Sequence, residues 1–271
     1  MIATVAQALA RAQALDIDRL DAQLILASLV QQSRAWLVAH DDAPLNPSTA
    51  AAVEAAYTRR AGGEPLAYLL GTQAFHGLTL QVDPRVLIPR PDTELIVDWA
   101  LELLAGCGAA SVVDLGTGSG AIALAVKHRQ PDAHVVATDL SRDALDVASA
   151  NADRLGLEVT FVGGSWWSAL AGRRFDLALA NPPYIAEGDA HLPALRHEPA
   201  SALTSGPEGL DALRTIVDGA AAHLNDRGWL LLEHGYDQAD AVQALLRDAG
   251  FAGVATRRDV GGQRRCTGGH R

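Results

Sequence analysis

Three short stretches of this chain hold residue types that can do chemistry together. The first is Asn181-Pro182-Pro183-Tyr184. It follows the apolar run Asp176-Leu177-Ala178-Leu179-Ala180, which reads as a buried strand of a parallel sheet. Two successive prolines have no N–H for a strand ladder, so the chain must leave the sheet at Asn181. Open α/β sheets bind ligands beyond the carboxyl ends of their strands. The residue types suit a planar NH2 group. The Asn181 side-chain oxygen and the Pro182 carbonyl can accept its two hydrogens, and Tyr184 can stack on its plane. A Pro-rich turn after a strand is the plain alternative.

The second stretch is Asp114-Leu-Gly-Thr-Gly-Ser-Gly120. Its glycines stand where a chain turns sharply from strand to helix while a ligand approaches closely. Dinucleotide folds use a similar turn, but the spacing here is tighter than G-x-G-x-x-G. Asp114 just before the glycines suits a cofactor with a cationic amino-acid portion better than a pyrophosphate. The third is Asp139, which ends the next apolar run, where a carboxylate can take both hydroxyls of a ribose. The glycine turn and Asp139 alone leave a generic nucleotide site and an S-adenosylmethionine (SAM) site equally open. Adding Asn-Pro-Pro-Tyr after the fourth strand favours methyl transfer to a planar exocyclic or amide nitrogen.

These stretches need a scaffold, and the pattern supplies one. Residues 1 to about 60 show helical spacing: Val5, Leu9, Ala12 and Leu15, then Leu20, Leu24, Leu26 and Leu29. Asp16 and Asp18 sit between the runs as caps or turns, and Pro47-Ser48 opens a further Ala-rich helix. Phe75 to Val82 alternates like a strand or hairpin. In Ile88-Pro-Arg-Pro-Asp-Thr-Glu94, Asp92 or Thr93 can cap the next helix, and the rigid loop carrying Arg90 and Asp92 could line a pocket. From about residue 110, strands alternate with helices: 111–115, 135–139, 159–162, 176–180 and 228–233, with helices 121–128, 141–154, 210–224 and 237–249 between or after them. A closing strand pair, 254–257 and 263–267, flanks Gly261-Gly262. This alternation predicts a parallel sheet covered on both faces.

Composition narrows the classes. The chain has 271 residues, 49% of them apolar, enough for one large domain plus a small one. Its net charge of −10 argues against a protein whose main partner is a nucleic-acid backbone. Cys107 and Cys266 are the only cysteines and lack metal-ligand spacing. The histidines show no H-E-x-x-H pattern, so no metal site is expected. Met1-Ile2-Ala3-Thr4 lacks a signal-peptide pattern, and no apolar run has membrane-span length, so a cytoplasmic location is expected. Glu233-His234-Gly235 reads as a strand-end turn, and Gly261-Gly262-Gln263 as a hairpin turn.

Taken together, Ile88–Glu94, Asp114–Leu124, Asn181-Pro-Pro-Tyr-Ile185 and Leu231-Leu-Glu-His-Gly235 resemble the HemK/PrmC family, the glutamine methyltransferases of peptide chain release factors. The resemblance runs from about Gly63 to nearly the C-terminus. It implies a Rossmann-like α/β SAM-dependent methyltransferase domain over 91–271. A connector with a β-hairpin would cover 73–90, and a small helical recognition domain 1–72. It implies SAM as methyl donor and the glutamine of the GGQ motif in class 1 release factors as acceptor, with an effect on translation termination. No membrane contact and no stable nucleic-acid binding are expected. Gly116, Thr117, Gly118, Ser119 and Gly120 would hold the methionine part of SAM, Asp139 the ribose, and Trp166 the adenine. Asn181 would touch SAM and substrate; Pro182, Pro183 and Tyr184 would frame the glutamine amide, with Asn181, Pro182 and Tyr184 carrying catalysis. His197, where the family more often has an aromatic residue, and the ending Arg265-Cys-Thr-Gly-Gly-His-Arg271 depart from the pattern. Two rivals remain: an adenine methyltransferase acting on nucleic acid, and a SAM-binding module that only docks.

Overall fold

The computed structural model describes residues 2–271. The chain forms two compact units, the first ending at Thr72 and the second running from Gln73 to Arg271.

The first unit is helical: α1 (Val5–Ala14), α2 (Arg19–Val30), α3 (Arg34–Ala39), α4 (Pro47–Ala61) and α5 (Leu66–Leu70). The side chains of Thr4, Asp18, Ser33 and Asn46 accept backbone N–H groups at the first four N-termini, and Pro47 fills the first turn of α4. Val5, Leu26, Leu37, Val53 and Tyr57 make the core, and the Tyr57 hydroxyl donates to the Ala22 carbonyl at 3.1 Å.

The second unit opens with a hairpin of β1 (Thr72–Phe75) and β2 (Leu78–Gln81). After α6 (Glu94–Leu104) come β3 (Ser111–Leu115), α7 (Ala121–Arg129), β4 (His134–Asp139), α8 (Arg142–Leu155), β5 (Thr160–Gly163) and β6 (Phe175–Ala180). They are followed by α9 (Asp211–His223), β7 (Leu224–Glu233), α10 (Ala239–Asp248), β8 (Ala252–Arg258) and β9 (Arg264–His270). Seven strands join in the order β5-β4-β3-β6-β7-β9-β8. The first five of these are parallel, while β9 runs antiparallel to both β7 and β8.

Alternating strand residues feed two cores, as a sheet covered on both faces requires. Val112, Leu177, Leu179 and Leu231 pack with α6 and α7. Val113, Ala178, Leu230 and Leu232 pack with α9 and α10. The chain builds outward from β3 in one direction and then returns to build from β6 in the other. The carboxyl ends of β3 and β6 therefore flank the switch point where such sheets open a crevice. The unusual ending has a packing reason: a Cβ on Gly268 would lie 2.3 Å from the Leu231 side chain.

Candidate active site

The glycine turn leaves β3 at that switch point. Gly116, Gly118 and Gly120 have φ of 75°, 55° and 86°, which only glycine adopts without strain. The N–H groups of Gly116 and Thr117 both donate to the Thr138 carbonyl of neighbouring β4, at 2.8 and 2.9 Å. Asp139 fixes the turn from the next strand end. Its Oδ2 accepts from the Gly118 N–H at 2.9 Å, and its Oδ1 from the Ser141 N–H at 2.8 Å.

A cavity of about 420 Å³ lies over these residues. Gly116, Gly118, Asp139, Trp166, Asn181 and Pro183 line it. Trp166 is held in a left-handed conformation (φ 47°), with its ring against Gly116; a Cβ there would sit 3.0 Å from the ring. The neighbouring Trp167 is buried instead, donating to the Ile216 carbonyl at 2.9 Å and stacking on His223. The pair is thus divided between cavity and core.

Other residues of the expected site stand behind the cavity wall. The Thr117 hydroxyl donates to Asp114 at 2.6 Å, and the buried Ser119 gives its carbonyl to Asn151 at 3.0 Å. Gly120 packs against Leu124 and Ala148, where a Cβ would clash at 2.9 and 3.3 Å. These three shape the turn and do not line the cavity. Asp114 corrects an expectation as well. Its carboxylate points inward, where Oδ2 accepts from Thr117 and from the Ala123 N–H at 3.2 Å. Burial raises its pKa from 3.8 to about 7. Asp114 supports the turn through Oδ2 and is buried outside the cavity lining, with its Oδ1 left without a protein partner among the described residues.

Asn181 leaves β6 beside the cavity, with Pro182 buried behind it. The Asn181 Nδ2 donates to the Thr93 Oγ1 at 3.1 Å. Thr93 precedes α6 but makes no side-chain cap bond, so its hydroxyl serves Asn181 rather than the helix. The Tyr184 carbonyl accepts from Gln238 Nε2 at 3.0 Å, and Ile185 pairs with Leu203 and Ser205 through backbone bonds. Burial, reinforced by the Glu233 carboxyl, pushes the Tyr184 phenol well above its ordinary value. Glu198 is buried and clamps the 86–90 loop, taking the Ile88 N–H at 3.1 Å and the Arg90 guanidinium. Arg90 therefore braces the wall, and neither it nor Asp92 lines the cavity. His234 is buried between the Gly235 carbonyl and the Thr267 hydroxyl, at 2.8 and 2.7 Å, as a strand-end group.

Sequence reasoning passed over Thr93, Glu198, Glu233 and Gln238. Thr93 gave the signal of a helix cap and Glu233 that of a strand-end turn, while the contacts of Glu198 with Ile88 and of Gln238 with Tyr184 span distances in sequence that no local pattern reveals.

The glycine turn, the acidic end of the second strand and an amide-bearing loop after the fourth, set on this sheet, define a methyltransferase. The methyltransferase small domain model matches residues 96–206, and the PrmC N-terminal domain model matches residues 1–71. The chain belongs to the family of release factor glutamine methyltransferases. It is 50% identical to the release factor glutamine methyltransferase of Bordetella pertussis over 94% of this chain and 95% of the relative. It is 49% identical to that of Pseudomonas aeruginosa over 92% and 91%. The fold is similar to that of the 16S rRNA N2 G1207 methyltransferase of T. thermophilus, at 21% identity, with a TM-score of 0.56 over 74% of this chain and 49% of that one. Among the described residues no helix is long and apolar enough to cross a membrane.

Proposed function

We propose that this chain transfers a methyl group from SAM to the side-chain amide nitrogen of the GGQ glutamine in class 1 peptide chain release factors, in the cytoplasm, and so modulates translation termination. The observation that carries this reading is the Asn181 side chain at the cavity with its nitrogen committed to Thr93. Its oxygen is then the group it presents, and an acceptor is what an incoming NH2 requires. The relatives' names supply the acceptor protein.

The residues lining the cavity suit SAM: Gly116 and Gly118 would admit the methionine part closely, Asp139 would take the ribose hydroxyls, and Trp166 would face the adenine. When bound, SAM supplies an electrophilic methyl group on a sulfonium. The chain's own residues do the rest. The lone pair of an amide nitrogen is delocalised into its carbonyl and is a poor nucleophile. The Asn181 oxygen and the Pro182 carbonyl would hold the two N–H hydrogens and so orient the nitrogen lone pair toward the methyl group, whose bond to sulfur breaks as S-adenosylhomocysteine leaves. Fixing such geometry lowers a barrier by several kcal/mol, up to roughly 7–11 kcal/mol in the best cases. The same acceptors stabilise positive charge growing on the nitrogen. The N-methylated cation is strongly acidic and loses its proton without a dedicated base. Pro183 and Tyr184 frame the amide plane.

The test uses labelled SAM with release factor, its glutamine-to-alanine variant, and DNA in separate reactions. Label on release factor alone, lost in the variant, is the expected result. Label on DNA favours the adenine reading, and label nowhere reduces the protein to a docking module.

A further inference from the structure

We propose that Glu233 and Thr93 form a positioning relay that fixes the Asn181 side-chain amide with its oxygen toward the substrate nitrogen. This rests on the function proposed above and deepens it.

An asparagine amide has two faces that differ only in which atom is the acceptor. Asn181 serves an NH2 group only in one of them, so something must choose. Its Nδ2 donates to the Thr93 Oγ1 at 3.1 Å. That hydroxyl, having accepted one hydrogen bond, still carries one hydrogen to donate. Thr93 is only 4% exposed and makes no cap bond to α6, so water and the helix are both poor outlets. Glu233, at the end of β7 and 2% exposed, is the carboxyl whose ionised form the Thr93 and Tyr184 hydroxyls favour by hydrogen bonding, which makes it the acceptor for the Thr93 hydrogen. Its Oε2 has no partner, so its carboxyl has capacity left for a bound proton.

The relay depends on the charge state of Glu233. An ionised carboxylate can only accept, which forces Thr93 to donate toward it and leaves the Thr93 lone pair for Asn181. A neutral carboxyl can instead donate to Thr93, which frees the Thr93 hydrogen to turn toward Asn181 and removes the bias against the flipped amide. The groups around Glu233 are Arg265 and Cys266 on β9, Asp92 before α6, Tyr184 on the loop, and His234 next in the chain. Burial is the largest influence and raises the pKa from 4.5 to about 7, against the pull of Thr93, Arg265 and Tyr184. The relay is thus complete above neutrality and loosens below it.

Four variants test this: Glu233→Gln, Thr93→Val, Thr93→Ser and the double variant Glu233→Gln/Thr93→Val. In the protein without SAM or release factor, the Asn181 side-chain NH2 resonances, assigned through Asn181→Asp, should shift with a midpoint near pH 7 and stay fixed in Glu233→Gln. With release factor, wild-type kcat should climb through the same midpoint. Glu233→Gln and Thr93→Val should each lie about tenfold below its plateau with no such rise, and with KM and SAM affinity unchanged. The double variant should be no worse than Thr93→Val, because the two residues act as a unit, and Thr93→Ser should return to within about twofold of wild type. A wild-type kcat profile in Glu233→Gln overturns the proposal, as do Asn181 resonances that titrate alike in both proteins. Absence of transfer in wild type strikes the proposed function alone; the resonance titration then still decides the relay.

Discussion

At the scale of single residues, Asn181 and Gly116 carry different parts of the work and fail differently. In the proposed mechanism Asn181→Ala removes the acceptor for the substrate nitrogen but leaves the turn and Trp166 in place. Transfer should be largely abolished, with SAM affinity within about tenfold of wild type, or about 1.4 kcal/mol; near-normal turnover would sink the mechanism. Gly116→Ala does the reverse. Its φ of 75° disfavours any Cβ, and the new methyl would press on the Trp166 ring at 3.0 Å. The left-handed conformation alone costs roughly 1–2 kcal/mol, so calorimetry should show SAM binding weakened about tenfold or more. Both residues were legible in the sequence because their chemistry is local: a glycine in a turn, an amide before two prolines. Thr93 and Glu233 were not. A threonine before a helix reads as a cap and a glutamate after Leu-Leu reads as a strand end. Only the folded contacts give either another meaning.

At the scale of elements, one buried side chain ties three of them together. Asn151 of α8 accepts the Gln81 N–H at 2.6 Å and donates to the Gln81 carbonyl at 2.9 Å and the Ser119 carbonyl at 3.0 Å. It thereby fastens the β1–β2 hairpin and the glycine turn to one helix, and it is fully buried. Asn151→Leu leaves three backbone groups without partners, each costing about 1–3 kcal/mol. Urea unfolding should show a loss of several kcal/mol in the second unit, and SAM affinity should fall with it. A loss under about 0.5 kcal/mol, the range of ordinary surface changes, would refute this role. Strand and helix identity followed from hydrophobic period, and the bounds of β3 came out as read. The strand β7 is longer than expected: it begins at Leu224 and passes through Arg227 at φ 64°, which no periodicity announces. Likewise Asp114 was placed correctly on its strand, but its inward direction depends on Thr117 and Ala123.

At the scale of the whole molecule, the buried carboxyls set how stability depends on pH. Asp114 rises from 3.8 to about 7 and Glu233 from 4.5 to about 7, both chiefly through burial. Between these ordinary values and pH 7 the folded protein keeps protons that the unfolded chain has released. The stability they contribute is therefore full below about pH 4 and is lost as pH rises through 7, with each unit of elevation worth about 1.4 kcal/mol. Asp114→Asn should flatten this fall in denaturant unfolding measured from pH 4 to 8; an unchanged slope would show that Asp114 is not the source. The chain also carries the tripeptide of its proposed substrate, Gly261-Gly262-Gln263, on the exposed turn between β8 and β9. The Gln263 N–H donates to Asp259 Oδ1 at 2.8 Å and its carbonyl accepts from the Asp259 N–H at 2.9 Å. A backbone tied at both groups cannot extend into a pocket, so mass spectrometry should find no methyl group on Gln263 after incubation with SAM.

The clamp at Glu198 also sets a clock. The Ile88 amide is held by Glu198 Oε2, across 110 positions of chain, so its hydrogen is released to deuterated water only when the two segments part. At a pH where the opened amide exchanges faster than the wall recloses, the exchange rate of that one amide measures how often the wall beside Asn181 opens unaided. If release factor enters only after that wall has opened unaided, the opening frequency is an upper limit on the rate of productive encounter, readable before any substrate is added.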